Sequence, residues 1–414
     1  MLVRLYHIFS KHKLVYLLLV SAFFPYIQII PLGSDTQPNT FLCACLFVFF
    51  HGIRKLNKEL SILFLLALIS LILLPFSGIN FGTFRSVFNY MSLFIVTFAA
   101  YYGLKEINGI PFKLYRAVVV IWLIVGLIQL LIFPDFLSFL LPRGEVSVNL
   151  ESGRGVISLA PEPTHYGLIC ILLGLIGHIN FGFTKQSIII YCLLLFQIFI
   201  VSRSSLAILI VLSAFFIFSF LSVLRYRKYR QKAIFGLFVF VALSVIGYAN
   251  LPDNFADLRI GKLLMLFLEN PSMILLADAS VNERFVHLYF PIRGFIHDYG
   301  IPHGYSAFDD WYKECMKIPE INALVLPYSE SNNSTRIQSG WGAILFEMGF
   351  FALLLIRVLY LLIKKCYNKI GRYVVGAIII MVFLNAFPFS TPLASLFIAN
   401  MMFVKYKKSD NQSI

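Results

Sequence analysis

A chain of 414 residues that is 59% hydrophobic and only 13% charged, with 43 phenylalanines and a net charge of +14, does not have the make-up of a water-soluble globular protein, which carries about 25% charged residues. The positive charge does not mark a nucleic-acid partner either. Its Lys and Arg residues cluster in short segments between apolar runs, as in the cytoplasmic loops of membrane proteins.

Apolar runs of roughly 18 residues or more demand helices, because lipid cannot satisfy backbone polar groups. The predicted fold is an all-α polytopic membrane protein of about 12 transmembrane helices, forming a single integral membrane domain over 1–414. In chain order the spans are expected near 14–31, 39–53, 59–76, 87–104, 116–140, 164–182, 187–202, 204–222, 234–250, 340–363, 373–388 and 391–405. The first resembles a signal peptide but lacks a clear small-residue cleavage site, so it reads as an uncleaved anchor. One set of connections holds 22 Lys and Arg, whereas the short connections of the opposite set hold only Arg85, Arg143, Arg154 and Arg203. That bias predicts both termini in the cytoplasm, an outer functional loop over 142–163 and a large periplasmic loop over 251–338. The mixed basic and aromatic run Arg225-Tyr226-Arg227-Lys228-Tyr229-Arg230 then faces the cytoplasm as a topology anchor in contact with anionic lipid. Only Cys315 of the six cysteines falls outside, so no disulfide is expected within the large loop, and no Cys/His spacing suggests a metal site. No phosphate-binding Gly-rich loop or internal repeat is present.

The polar residues gather on the outer side. The stretch Gly153-Arg154-Gly155-Val156-Ile157-Ser158-Leu159-Ala160-Pro161-Glu162-Pro163-Thr164-His165-Tyr166-Gly167 places a cation, a carboxylate and an imidazole within twelve residues between two apolar runs. Charge at a membrane boundary is costly and tends to be retained for function. Arg154 suits bidentate contact with a diphosphate, or else snorkels to lipid headgroups. Glu162 precedes Pro163 at a predicted helix start, where it is either a cap or a catalytic carboxylate. His165 lies one turn in and is a secondary candidate or an interfacial filler. Arg203, within Ser202-Arg203-Ser204, marks either a turn or a cation at membrane depth. In the large loop Arg293 precedes Gly304 with ten residues between, and His303 beside it is a candidate base or an ordinary surface histidine. Arg143 and Arg284 complete the set of candidate cations. The segment Ser339-Gly340-Trp341-Gly342-Ala343-Ile344-Leu345-Phe346-Glu347-Met348-Gly349 returns into an apolar helix, with Glu347 and Gly349 expected to be architectural.

The pattern Arg-Gly-x(6)-Glu-Pro-Thr-x-x-Gly, the Ser-Arg-Ser turn, the single large late outer loop, the Arg-x(10)-Gly pattern within it and the Glu-x-Gly return together resemble Wzy-type O-antigen and capsule polymerases. The resemblance covers roughly 140 to 350, and it departs from the family in lacking a second Arg-x(10)-Gly pattern in 142–163. It implies a glycosyltransferase of the bacterial inner membrane that joins oligosaccharide repeats carried on undecaprenyl diphosphate. Membrane lipid and a chain-length regulator would be partners, and no cofactor, metal or nucleic acid would be needed. Under this resemblance Arg154, Arg203 and Arg293 would hold the diphosphate, and Glu162 or His303 would take the acceptor proton. Two other activities fit a similar outline: an O-antigen ligase acting on lipid A core, and a lipid-linked oligosaccharide flippase. The absence of repeats and the scarcity of mid-span charge disfavour the flippase.

Overall fold

Caps written into the sequence start many of the helices. Asn57 accepts from the Leu60 amide (2.8 Å), Asn368 from that of Gly371 (2.8 Å), and Thr184 and Ser187 form a reciprocal capping box. The computed structural model describes residues 11–29, 36–52, 55–78, 81–142, 155–225, 231, 234, 265–266, 268–270, 273–326, 337–385 and 387–410. Among these residues every regular element is helical. The main ones are α1 (Lys11–Phe23), α2 (Asn39–His51), α3 (Lys58–Leu73), α4 (Phe81–Glu106), α5 (Phe112–Leu131), α6 (Pro163–Phe181), α7 (Lys185–Phe196), α8 (Ser205–Arg225), α9 (Ala279–His297), α10 (Phe308–Met316), α11 (Gly340–Met348), α12 (Ala352–Cys366), α13 (Lys369–Leu384) and α14 (Pro392–Asp410).

Six helical stretches among the described residues are long and apolar enough to cross a membrane: Lys58–Ser77, Gly82–Glu106, Phe112–Leu131, Pro163–Phe181, Ser205–Leu224 and Gly340–Cys366. The chain is thus an all-α protein with apolar helices of membrane-crossing length. Several expected stretches are shorter than the hydropathy suggests. The run 14–31 leaves the helix after Phe23, and 116–140 leaves it after Leu131, with a single 3-10 turn at Ser138–Leu140. The stretch 234–250 lies, apart from Ile234, outside the described residues, as do Arg143, Arg154, Tyr226–Arg230 and, within the 251–338 loop, 251–264, 267, 271–272 and 327–336.

The apolar surface is layered. In Gly82–Glu106, 72% of the most apolar window is buried, against 28% in Ser205–Leu224. α14 lies in the middle of the packing against α4, α6 and α12, with Leu393, Leu396, Ala399 and Met402 fully buried. A helix apolar on all sides must be buried on all sides or face lipid. Leu209, Phe216 and Phe220 on α8 are about half exposed, a surface that water would not tolerate and hydrocarbon would.

The described part of the 251–338 segment folds on its own small core of Val286, Phe290, Phe308, Cys315, Ile321 and Phe346. The last of these belongs to α11, so the segment is seated on that helix. The segment α11–α12 breaks at Gly349, whose φ is +55°; a Cβ there would meet the Gly300 carbonyl at 2.3 Å. The break leaves the last carbonyls of α11 without helical partners. His303 donates its backbone N–H to Phe346 O (3.1 Å) and Gly304 donates to Glu347 O (3.2 Å), so the loop after α9 completes the helix end.

Candidate functional site

The amino end of α6 gathers three segments that are far apart in sequence. Glu162 is the N-cap residue, in extended conformation, with Pro163 next to it, but its side chain makes no capping hydrogen bond. The half-buried carboxylate is therefore not consumed by the helix it begins. The positive end of the helix dipole favours negative charge there. Arg284 of α9 reaches the same end, where its Nη2 donates to Thr164 Oγ1 (3.2 Å). Its neighbour Glu283 accepts from Gln338 Nε2 (2.5 Å) at the start of α11, which ties α9 to both helix ends.

The third segment is the Ser202-Arg203-Ser204 turn. It is a true turn: a π-helical stretch, Gln197–Val201, ends there and α8 begins at Ser205. Arg203 has a φ of +44° and an exposed side chain whose Nε donates to Ile200 O (3.2 Å). Left-handed backbone costs a non-glycine residue about 1–2 kcal/mol, so the surrounding packing must hold it. Val156 N–H donates to Val201 O (3.1 Å), and a Cβ on Gly155 would lie 2.2 Å from the Ser202 carbonyl oxygen. Gly155 is thus small because the two loops touch backbone to backbone. Arg154, which precedes it, lies outside the described residues.

A buried network of neutral groups holds the 155–162 loop in place. Gln129 Nε2 donates to Ser158 O (2.9 Å) and to Phe136 O (2.9 Å), and Gln129 Oε1 accepts from Ser158 N (2.6 Å). Ser158, with φ +52°, donates its hydroxyl to Trp122 O (2.7 Å). Tyr166 stacks on Trp122 (5.5 Å, 19°) and donates to Gln197 Oε1 (2.8 Å). His165 sits between Tyr26, edge-on at 5.7 Å, and Phe387 at 6.4 Å.

Two other candidates lie elsewhere. Arg293 is nine residues after Arg284 on α9, roughly 13 Å along the axis and about half a turn round it. It donates to Tyr289 Oη (3.4 Å) and lies near Cys315 of α10. Burial pushes that thiol up to about 11, with the Arg293 charge opposing. Arg284 and Arg293 therefore serve different faces of α9. His303 lies beyond the carboxyl end of α9, its ring stacked 4.0 Å from Phe346. Nε2 donates to Asp298 Oδ2 (2.6 Å), while Nδ1 is buried and makes no hydrogen bond. Partial burial pushes the Asp298 carboxyl up; the hydrogen bonds and charges of His297 and His303 outweigh that and hold it below the usual carboxylate value. Gly304 has φ +74°, and a Cβ there would strike Ser77 Oγ at 2.3 Å, the same hydroxyl that accepts from Tyr305 N (2.9 Å). Close backbone approach accounts for this glycine.

Glu347 accepts hydrogen bonds from Ser86 Oγ (3.1 Å) and Tyr90 Oη (2.6 Å) of α4, so the carboxylate links the first turns of α4 to the carboxyl end of α11. The reading of the sequence missed Thr164, Gln129 and the Glu283–Gln338 pair. Gln129 carried a signal, being the sole polar side chain in 117–132; polar residues inside apolar helices are retained for a reason. Thr164 stood only as a position of the Glu-Pro-Thr pattern, and its contact with Arg284, 120 residues away, had no signal. Among the described residues no three His, Cys, Asp or Glu side chains converge as a metal cluster. No protein-family model matches the chain, nor does any curated protein.

The geometry defines a chemistry. Arg284 on Thr164, and the Ser202–Ser204 turn packed against Gly155 and Gly167, bring a guanidinium to a helix amino end, a pairing that suits an anion. A carboxylate at the same helix end is placed to accept a proton.

Proposed function

We propose that the protein is a repeat-unit polymerase of the Wzy type, joining undecaprenyl-diphosphate-linked oligosaccharides into O-antigen or capsular polysaccharide at the outer face of a bacterial inner membrane. The observation that carries this reading is the meeting of Thr164, Arg284 and the Ser202–Ser204 turn at the amino end of α6, beside Glu162. In this reading the chain crosses the membrane about 12 times with both termini in the cytoplasm, on the cation bias of its connections.

Arg154, Arg203 and Arg284 hold the donor diphosphate and stabilise the charge that develops on it as the glycosidic bond to phosphate breaks. Glu162 accepts the proton of the acceptor hydroxyl as the new sugar–oxygen bond forms. The diphosphate leaving group supplies the driving force, so no nucleotide enters. Lipid-facing helices such as α8 leave room for polyprenyl tails beside the site.

Gel analysis of surface polysaccharide from a deletion strain tests the function. Loss of the polymerase leaves lipid A core capped by a single repeat. Polymer accumulating off the core would make the protein a ligase, and absence of any repeat from the core would make it a flippase. Alkaline phosphatase fused near Asn332 is expected to be active and fused after Tyr229 inactive; the reverse pattern overturns the orientation and the site with it.

A further inference from the structure

At the end of α6 opposite the candidate site, about 28 Å away for a helix of this length, lies a cavity of about 360 Å³. It is bounded by the turn between α4 and α5 (Asn108, Ile110), the last turn of α6 (Asn180, Phe181) and the last turns of α14 (Phe403, Lys407). Its lining mixes polar Asn108, Asn180 and Lys407 with apolar Ile179, Phe181 and Val404. Lys407 is exposed, and its Nζ donates to the neutral Asn108 Oδ1 (3.2 Å). Two acidic groups among the described residues on this side have cationic or imidazole partners. Glu59 pairs with Lys405, and Glu106 lies 3.5 Å from His51. Lys105 is placed over the rings of Tyr101 (4.9 Å) and Tyr406 (4.5 Å). The charge facing the cavity is therefore positive.

We propose that this cavity binds the headgroup of an anionic phospholipid, with Lys407 on the phosphate. A lining that mixes an ammonium and amides with apolar side chains fits an amphiphile better than a free ion, since the half-buried Ile179, Phe181 and Val404 offer nothing to a phosphate and contact surface to a glycerol and acyl chain. The cation bias of the connections puts this end in the cytoplasmic leaflet, where anionic lipids concentrate and basic pockets between helices recruit them. A lipid seated here bridges the α4–α5 turn, α6 and α14, and so braces the helix whose other end forms the candidate site. The binding does not depend on the polymerase reading.

Full-length protein in neutral detergent, stripped of lipid, tests it by native mass spectrometry and thermal unfolding. Phosphatidylglycerol is expected to bind saturably and raise the unfolding temperature, and phosphatidylcholine with the same acyl chains is not. Lys407→Ala should weaken phosphatidylglycerol binding about fivefold, the usual effect of one basic residue near anionic lipid. Lys185→Ala, on the same side of the membrane but outside the cavity, should leave binding unchanged. Equal losses in both variants would reduce the effect to general surface charge and overturn the site. So would equal retention of the two lipids. Millimolar inorganic phosphate reproducing the thermal shift would make the ligand a free ion and overturn the lipid.

Discussion

Two loops close over helix ends in this protein, and they do opposite things. The 155–162 loop leads into the amino end of α6, and the 298–306 loop covers the carboxyl end of α11. An amino end leaves N–H groups and a partial positive charge, which a chain of N–H donors cannot satisfy but an anion can. A carboxyl end leaves carbonyls, and here His303 and Gly304 fill them with backbone N–H groups. The first loop therefore leads into an amino end with no side-chain cap and with Arg284 on Thr164, while the second is closed by its own backbone. The means of support differ as well. Buried neutral groups around Gln129 and Ser158 hold the first, and the titratable Asp298–His303 pair, with Asp298 partly exposed, holds the second.

The comparison breaks most readily at the first loop. Arg284→Ala and Arg154→Lys should each lower polymer formation about 100-fold, the scale of losing one donor to developing charge; lysine keeps the charge but not the bidentate contact. Near-normal polysaccharide ladders from both variants, at equal protein level by blot, would leave the arginines as lipid anchors. Glu162→Gln should abolish polymerisation with the fold intact, and His303→Ala should be milder, because the histidine's Nε2 is committed to Asp298. Ladders in the reverse order would move the base to the second loop. Gly155→Ala should cost most of the activity, since its Cβ has only 2.2 Å to the Ser202 carbonyl, whereas Gly376→Ala, with open space around it, should be silent.

Smaller effects sharpen the contrast in support. Gln129→Leu removes the partner of the buried Ser158 amide and should destabilise the protein by about 3 kcal/mol, read as a lower unfolding temperature in detergent. That loss should be independent of pH. The second loop should respond to acid instead. The folded Asp298 carboxyl lies below its ordinary value, so its stabilisation is present above the unfolded carboxylate pKa and is lost as pH falls through the lower, folded one. Hydrogen exchange in 298–306 should therefore accelerate below about pH 4, relative to its intrinsic rate, while 155–162 stays protected. Equal acid sensitivity in both loops would remove the distinction.

Much of this protein can be read from its residues in order. Apolar runs dictate helices because lipid offers no hydrogen bonds, and the alternation of basic and non-basic connections is the basis of the orientation proposed for them. Glu162-Pro163 announces a helix start, and the structure puts one there. Arg203 between two apolar runs announces a turn or a buried cation, and the structure makes it a turn. Helix ends were less legible, because hydropathy continues past Phe23 and Leu131 where the backbone does not. Tertiary structure alone decided which candidates meet. The sequence ranked Arg293 above Arg284 for the diphosphate, yet nine residues of helix place them on opposite faces, Arg284 on Thr164 and Arg293 beside Cys315. Gly155 and Gly304 read as motif positions, and the folded chain shows each to be the point where one backbone presses on another segment. Sequence carries local pattern, whereas contacts across a hundred residues arise only when the helices pack.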